Sequence, residues 1–290
     1  YPTMAYSLAT SYVGDAFLTG FNWFNGVDPS NGFVRYQSAA DAEALDLYEI
    51  RPDGSVILGV DDTNVYPLGT GRPSVRLESK VAYDSGLFIG DFAHMPPSTC
   101  GLWPAFWMYG PDWPNNGEID IIEGANRATR NLISAHTSEG CTIPRSGIET
   151  SGTAVTFDCT SPGNNNNAGC SFVPPDLDTA TYGDTFNAAG GGVYAVEWTS
   201  EDIRIWHWPR SRIPQDITSK QPNPASWGPP TALFGTETCE PDRYFRQMSI
   251  VIQTNFCGDY AGATWGGECS AAAPTCEQYV ANNPSVFSNA

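Results

Sequence analysis

Six stretches of this chain alternate apolar side chains with other residues at a period of two. They are SVRLESKVAY at 74–83, GLFIGDFAH at 86–94, EIDII at 118–122, VYAVEW at 193–198, DIRIWHW at 202–208 and MSIVIQTNF at 248–256. A strand has that period, because successive side chains leave it on opposite faces. Turn clusters separate the stretches: Arg51-Pro52-Asp53-Gly54, then 140–152, 161–169 and 222–230. The tract Asn164–Asn167 is a loop by composition. Helical signal is sparse, and its best instance is TCEQYVANNP at 275–284, closed by Asn-Asn-Pro. Neither an internal repeat nor a long linker divides the chain, so one domain over residues 1–290 is expected. Its 29 glycines, 23 prolines and 12% aromatic content suit many short strands and turns. The expected fold is all-β, a sandwich of two antiparallel sheets with a concave face able to hold an extended ligand.

Charge narrows the partners. Fourteen basic residues against 32 acidic ones leave a formal charge of −18. Such a field repels nucleic acid and anionic lipid, whose phosphates need clustered Lys and Arg. A neutral sugar polymer is indifferent to it. No apolar run approaches the ~18 residues that a membrane-spanning helix requires. No nucleic acid and no membrane are expected as partners.

Eight cysteines, at 100, 141, 159, 170, 239, 257, 269 and 276, contain no C-x-x-C pair. An even number so spaced implies disulfides formed in an oxidising compartment rather than a zinc site. Closeness in sequence favours Cys159–Cys170 and Cys269–Cys276. With only three histidines, at 94, 136 and 207, no metal centre is expected, and no cofactor motif is present. The chain begins at Tyr1 without an initiator methionine and reads as a secreted, extracellular form whose signal peptide has gone.

The most unusual segment is EIDIIE at 118–123, which sets Glu118, Asp120 and Glu123 among isoleucines. On a helix the two glutamates would diverge by about 140°. On a regular strand Glu118 and Asp120 share a face, but Glu123 points the other way. One extra residue at 121–122, a β-bulge, returns Glu123 to the acidic face and keeps the isoleucines inside. Carboxylates in such a row are costly unless they share a proton or perform chemistry. Glycoside hydrolysis needs two of them, one as acid and one as nucleophile or base. An exposed acidic edge or a calcium site would use the same residues, and spacing alone does not choose retention over inversion.

Aromatics favour the sugar. GLWPAFWMYGPDWPNNGEIDIIEG carries Trp103, Trp107 and Trp113 ahead of the acidic strand, and flat rings pack on the apolar faces of pyranoses. Trp107 and Trp113 are expected to face the cleft and Trp103 the core. Core packing is also expected of Trp206 and Trp208. His136, on the next strand, can hydrogen-bond an acid or a sugar. Arg76 can donate to sugar hydroxyls, or simply form an ion pair. Serine-hydrolase, zincin and Walker-type motifs are absent.

Together these residues resemble glycoside hydrolase family 16, within it the fungal laminarinase-like endo-β-1,3(4)-glucanases. The resemblance rests on NGEIDIIEG with its GLWPAFWMYGPDWP lead-in, and extends over YVGDAFLTGF, GRPSVRL, YAVEWTSEDIRIWHWPR and NFCGDYAG. It implies a β-jelly-roll sandwich with a substrate cleft on its concave face, and retaining hydrolysis of β-1,3 or mixed β-1,3/1,4 glucans by double displacement. Glu118 matches the nucleophile, Glu123 the acid/base and Asp120 the modulator of the nucleophile. Trp107, Trp113, His136 and Arg76 match substrate-binding positions. Tyr260 stands where such relatives usually carry tryptophan. A β-glucan transglycosylase on the same site is the alternative, since a sugar hydroxyl can replace water. A glucan-binding lectin is a third reading, although binding alone does not require both glutamates. A monomer is expected, because the cleft must admit a polymer.

Overall fold

The period-two stretches form strands of two antiparallel sheets in a computed structural model that describes residues 6–162, 167–235 and 238–290. Asn164, Asn165 and Asn166 of the asparagine tract lie outside the described residues. The larger sheet has eight strands. Their order is Phe21–Trp23, Arg76–Tyr83, Met248–Phe256, Leu102–Tyr109, Glu118–Glu123, Ile133–His136, Cys170–Val173 and Thr153–Thr156. The smaller has four, ordered Ala232–Phe234, Ile203–Pro209, Gly192–Trp198 and Gly86–Phe92.

Alternation decides what lies between the sheets. Phe106, Met108, Ile119, Ile121, Ile122, Ile133 and Phe172 turn inward from the large sheet, and Tyr194, Val196, Trp198, Ile203 and Ile205 meet them from the small one. Most of these side chains are fully buried, and each contributes roughly 1.5–3 kcal/mol by leaving water. The alternate positions of the large sheet form its open face, where the acidic strand lies near the middle.

Trp206 is buried, as expected, but not in the main core. It alternates with Ile203 and Ile205 and so faces outward from the small sheet, where its indole and that of the half-buried Trp208 meet Trp227 edge-to-face at 5.2 and 5.0 Å. The predicted helix at 275–284 is shorter, Cys276–Asn282. Thr275 caps it by accepting from the Gln278 N–H at 3.2 Å, and Pro284 opens the following 3-10 turn.

Four disulfides are formed: Cys100–Cys269, Cys141–Cys239, Cys159–Cys170 and Cys257–Cys276. The Cys159–Cys170 expectation holds, whereas Cys269–Cys276 does not. Loop-closure entropy rises only slowly with loop length, so short spacing is a weak guide. Here Cys100 and Cys257 sit beside the ends of the adjacent central strands Leu102–Tyr109 and Met248–Phe256. Each takes one cysteine of the C-terminal helical segment.

Candidate active site

The acidic strand contains the bulge that its sequence requires. Against Leu102–Tyr109, Glu118 pairs with Tyr109 and Asp120 with Trp107, while Ile122 pairs with Phe106 and Glu123 with Ala105. Ile121 is the additional residue. Both Ile121 and Ile122 enter the core, at 0% and 3% exposure, and all three carboxylates reach the open face. Regular pairing would drive Glu123 into the core, and an unpaired buried carboxylate is far costlier than one irregular register.

The glycines flanking the strand have definite roles. Gly117 has φ +78°, and a Cβ there would lie 2.5 Å from both the Phe245 ring and the Tyr244 carbonyl oxygen. At Gly124 a Cβ would lie 2.6 Å from the Tyr182 ring, which packs against the backbone just after Glu123. Only glycine fits either position.

Each carboxylate has its own partners. The Trp103 indole N–H donates to Glu123 Oε1 at 2.9 Å, and the Trp113 indole N–H donates to Glu118 Oε2. Asp120 is 2% exposed. Its Oδ2 lies 3.3 Å from His136 Nε2, and His136 Nδ1 shares a 2.8 Å hydrogen bond with the Ser161 hydroxyl. Burial first, and then the charge and hydrogen bonding of Glu118, hold the Asp120 carboxyl well above the ordinary range, so that it keeps its proton. Burial first, and then the negative charge that the Asp120–Glu118 pair shares, push Glu123 up to about 8, against the opposing pull of the Trp103 N–H and His136. At neutral pH the site therefore holds a protonated glutamic acid and a buried aspartic acid beside a second glutamate.

Trp103 corrects the sequence-based expectation. Residues 103, 105, 107 and 109 share the open face, so the alternation that places Trp107 in the cleft places Trp103 there too. Tyr260 meets its ring edge-to-face at 5.8 Å. Trp113 is 40% exposed at the cleft edge. Trp107 stacks on Tyr109 at 5.0 Å, and the Arg76 guanidinium lies 5.1 Å from the Trp107 ring and 5.7 Å from that of Tyr109. Arg76 also pairs with Glu78, with both Nε and Nη2 at 2.8 Å from Oε1. It thus lies buried beneath the aromatic platform and also forms the ion pair that was the alternative for it. Sequence reasoning missed Tyr109, Glu78 and the catalytic-side contact of Trp103, although the period-two pattern already placed all three on this face.

Glu118, Asp120 and His136 offer donor atoms within 4.8 Å of one another, the one such trio among the described residues. A divalent ion there would bind Asp120 as a carboxylate. Calcium takes six to eight oxygens.

Paired glutamates on the open face of a two-sheet sandwich, bracketed by tryptophans, are the arrangement that glycoside hydrolysis uses. Residues 21–290 match the family described as "XgeA-like, catalytic GH16 domain", and the chain belongs to glycoside hydrolase family 16. An endo-1,3(4)-β-glucanase of Arthroderma benhamiae is 43% identical over 98% of this chain, which spans 62% of that relative's length. Among solved structures, an elongating family 16 β-1,3-glucosyltransferase is 41% identical, with a TM-score of 0.90 over 98% of this chain and 95% of its own. Laminarinase 16A from Phanerochaete chrysosporium, solved with 6-O-glucosyl-laminaritriose in its donor and acceptor sites, is 38% identical. Its TM-score is 0.91 over 99% of this chain and 96% of its own. The sandwich is therefore the jelly roll that the resemblance implied.

Proposed function

We propose that residues 1–290 form one catalytic domain, a retaining endo-β-glucanase acting on β-1,3 or mixed β-1,3/1,4 glucans. The observation that carries this reading is the bulged strand, which turns Glu118 and Glu123 to the same open face, each held by the indole N–H of a different tryptophan. Glu123, protonated at neutral pH, gives its proton to the glycosidic oxygen as the Glu118 carboxylate attacks the anomeric carbon. The C–O bond to the leaving sugar breaks and a glycosyl ester forms. Glu123, now a carboxylate, takes a proton from water, whose oxygen displaces Glu118 and restores both groups. Asp120 keeps its proton beside Glu118 and hydrogen-bonds the nucleophile, and His136 orients Asp120. Trp107, Trp113 and Arg76 with its aromatic platform bind the glucan.

A second reading uses the same intermediate. The 41% identity to an elongating glucosyltransferase favours transfer to a sugar hydroxyl when glucan is abundant. Four disulfides support an extracellular, secreted enzyme, and no helix among the described residues is long and apolar enough to cross a membrane. A monomer suits a cleft that must admit a polymer.

The test is reducing-end release from laminarin, lichenan and a β-1,4-glucan, comparing wild type with Glu118→Ser. Cleavage of the β-1,3-containing glucans by wild type alone is expected, and products longer than the substrate would reveal transfer. Binding of glucan by both proteins without cleavage by either would replace the enzyme with a lectin.

A further inference from the structure

A bulge leaves backbone groups without ladder partners, and here one side chain meets two of them. Asn131 is 1% exposed, at the head of the neighbouring strand. Its Nδ2 donates to the Ile121 carbonyl at 2.8 Å, and its Oδ1 accepts from the Glu123 N–H at 2.8 Å. The amide therefore spans the extra residue and fixes the peptide from which the Glu123 side chain departs. Asn131 is itself held from the other side of the sandwich. Its backbone N–H donates to the Thr181 hydroxyl at 3.2 Å, and the Thr181 carbonyl accepts from the Tyr194 hydroxyl at 2.6 Å. Tyr194 lies against the His207 ring at 4.6 Å, and His207 Nδ1 meets Asp178 Oδ2 at 2.7 Å. Thr181 and Tyr194 are fully buried, and His207 is 7% exposed.

We infer that Asn131 is a positioning residue for Glu123, and that a buried polar chain running through Thr181 and Tyr194 to the small sheet holds it in register. The inference rests on the assignment of Glu123 as acid/base. Its physical content is that neither hydrogen bond can be replaced by packing. An apolar side chain at 131 would leave a buried carbonyl and a buried N–H unpaired, and the bulge would relax by moving Glu123. Displacement of a reacting group by about 1 Å costs on the order of 10²-fold in rate.

Aspartate at 131 discriminates this role from mere packing. As a neutral acid it reproduces both bonds, with its O–H donating to Ile121 and its other oxygen accepting from Glu123. Once ionised it loses the donor. The other ionisable groups facing this position are Glu123 and the phenols of Tyr182 and Tyr194, with Asp178 and His207 beyond Tyr194. Burial holds both phenols well above their ordinary range, so they do not titrate alongside the new acid.

The experiment measures kcat and KM on laminarin from pH 4 to 9 for wild type, Asn131→Leu, Asn131→Asp and Glu123→Gln, with folding checked by circular dichroism. Asn131→Leu should lose about 10²-fold in kcat at every pH, with KM within about twofold of wild type. Asn131→Asp should approach wild type at the acid end and fall towards the leucine variant as pH rises. A folded Asn131→Leu enzyme with unchanged kcat, or an Asn131→Asp profile parallel to that of wild type, overturns the inference. Should Asn131→Leu not fold, Thr181→Val takes its place, with a kcat loss at constant KM expected and an unchanged kcat decisive against. Full activity in Glu123→Gln would instead overturn the acid/base assignment itself, whatever the Asn131 variants do.

Discussion

Trp103 and Glu123 face the cleft from adjacent strands, joined by a 2.9 Å hydrogen bond from the indole N–H to the carboxylate. That bond opposes the influences that raise Glu123, burial first and then the negative charge of the Asp120–Glu118 pair. The Glu123 carboxyl therefore sits between competing forces, close enough to neutrality to suit the acid/base role proposed for it.

Removing the indole N–H while keeping a ring tests this balance. A hydrogen bond to an ionised group contributes roughly 1.5–3 kcal/mol, or about one to two pK units. Trp103→Phe should therefore raise Glu123 above its value of about 8. The alkaline limb of the kcat/KM profile should move up by about one unit, with a roughly tenfold loss at the optimum as proton donation to the glycosidic oxygen by the weaker acid slows. An unmoved limb would mean that the N–H has no influence on the carboxyl.

Stability should show the same group with the opposite benefit. Glu123 binds its proton up to about pH 8 in the folded protein, against an ordinary value of 4.5. Between those values the folded state carries a proton that the unfolded state has released, so stability falls as pH rises through the window. Glu123→Gln has no such dependence. Its melting temperature should match that of wild type near pH 4.5 and exceed it by a few degrees near pH 8, as thermal melts at the two pH values would show. A constant difference across the window would contradict a raised Glu123.

Much of this site was legible before the fold was known, because a strand has one strict rule. Two isoleucines followed by a glutamate cannot obey it without a bulge, and the register shift at Ile121 is the result. The same rule places Trp103 on the same face as Trp107, and assigning it to the core overlooks a parity that the sequence displays. Other features carry no local signal. Asn131 is one polar residue at a strand end, and its role arises from a neighbouring strand's bulge. Cys100 and Cys269 are 169 residues apart, and only the sheet order brings them together.

Arg76 beneath the Trp107–Tyr109 pair should govern binding more than chemistry, since it touches the platform and Glu78 but none of the three acids. A buried cation–π contact contributes up to about 2 kcal/mol. Arg76→Met keeps a similar bulk but leaves Glu78 with only the Tyr109 hydroxyl, at 3.2 Å, and the rings without their cation. KM for laminarin should rise about tenfold, with kcat falling less than threefold. A loss confined to kcat would assign Arg76 to the reaction itself.

The disulfides should rank by the chain they close. In the chain-entropy account, stabilisation grows with the logarithm of loop length. The Cys100–Cys269 bond spans 169 residues and Cys159–Cys170 spans 11, giving about 5 and about 3 kcal/mol respectively. Their functional consequences should differ as well. Cys159–Cys170 closes the loop carrying Ser161, which holds His136 against Asp120. Cys100–Cys269 and Cys257–Cys276 flank Tyr260, which packs on Trp103. Denaturant melts of the paired alanine variants should therefore show the larger stability loss for Cys100/Cys269. Glucanase assays well below each midpoint should show reduced activity in both. Equal stability losses would mean that strain or residual unfolded structure outweighs loop closure. Full activity in the Cys159/Cys170 variant would show that His136 keeps its place without Ser161.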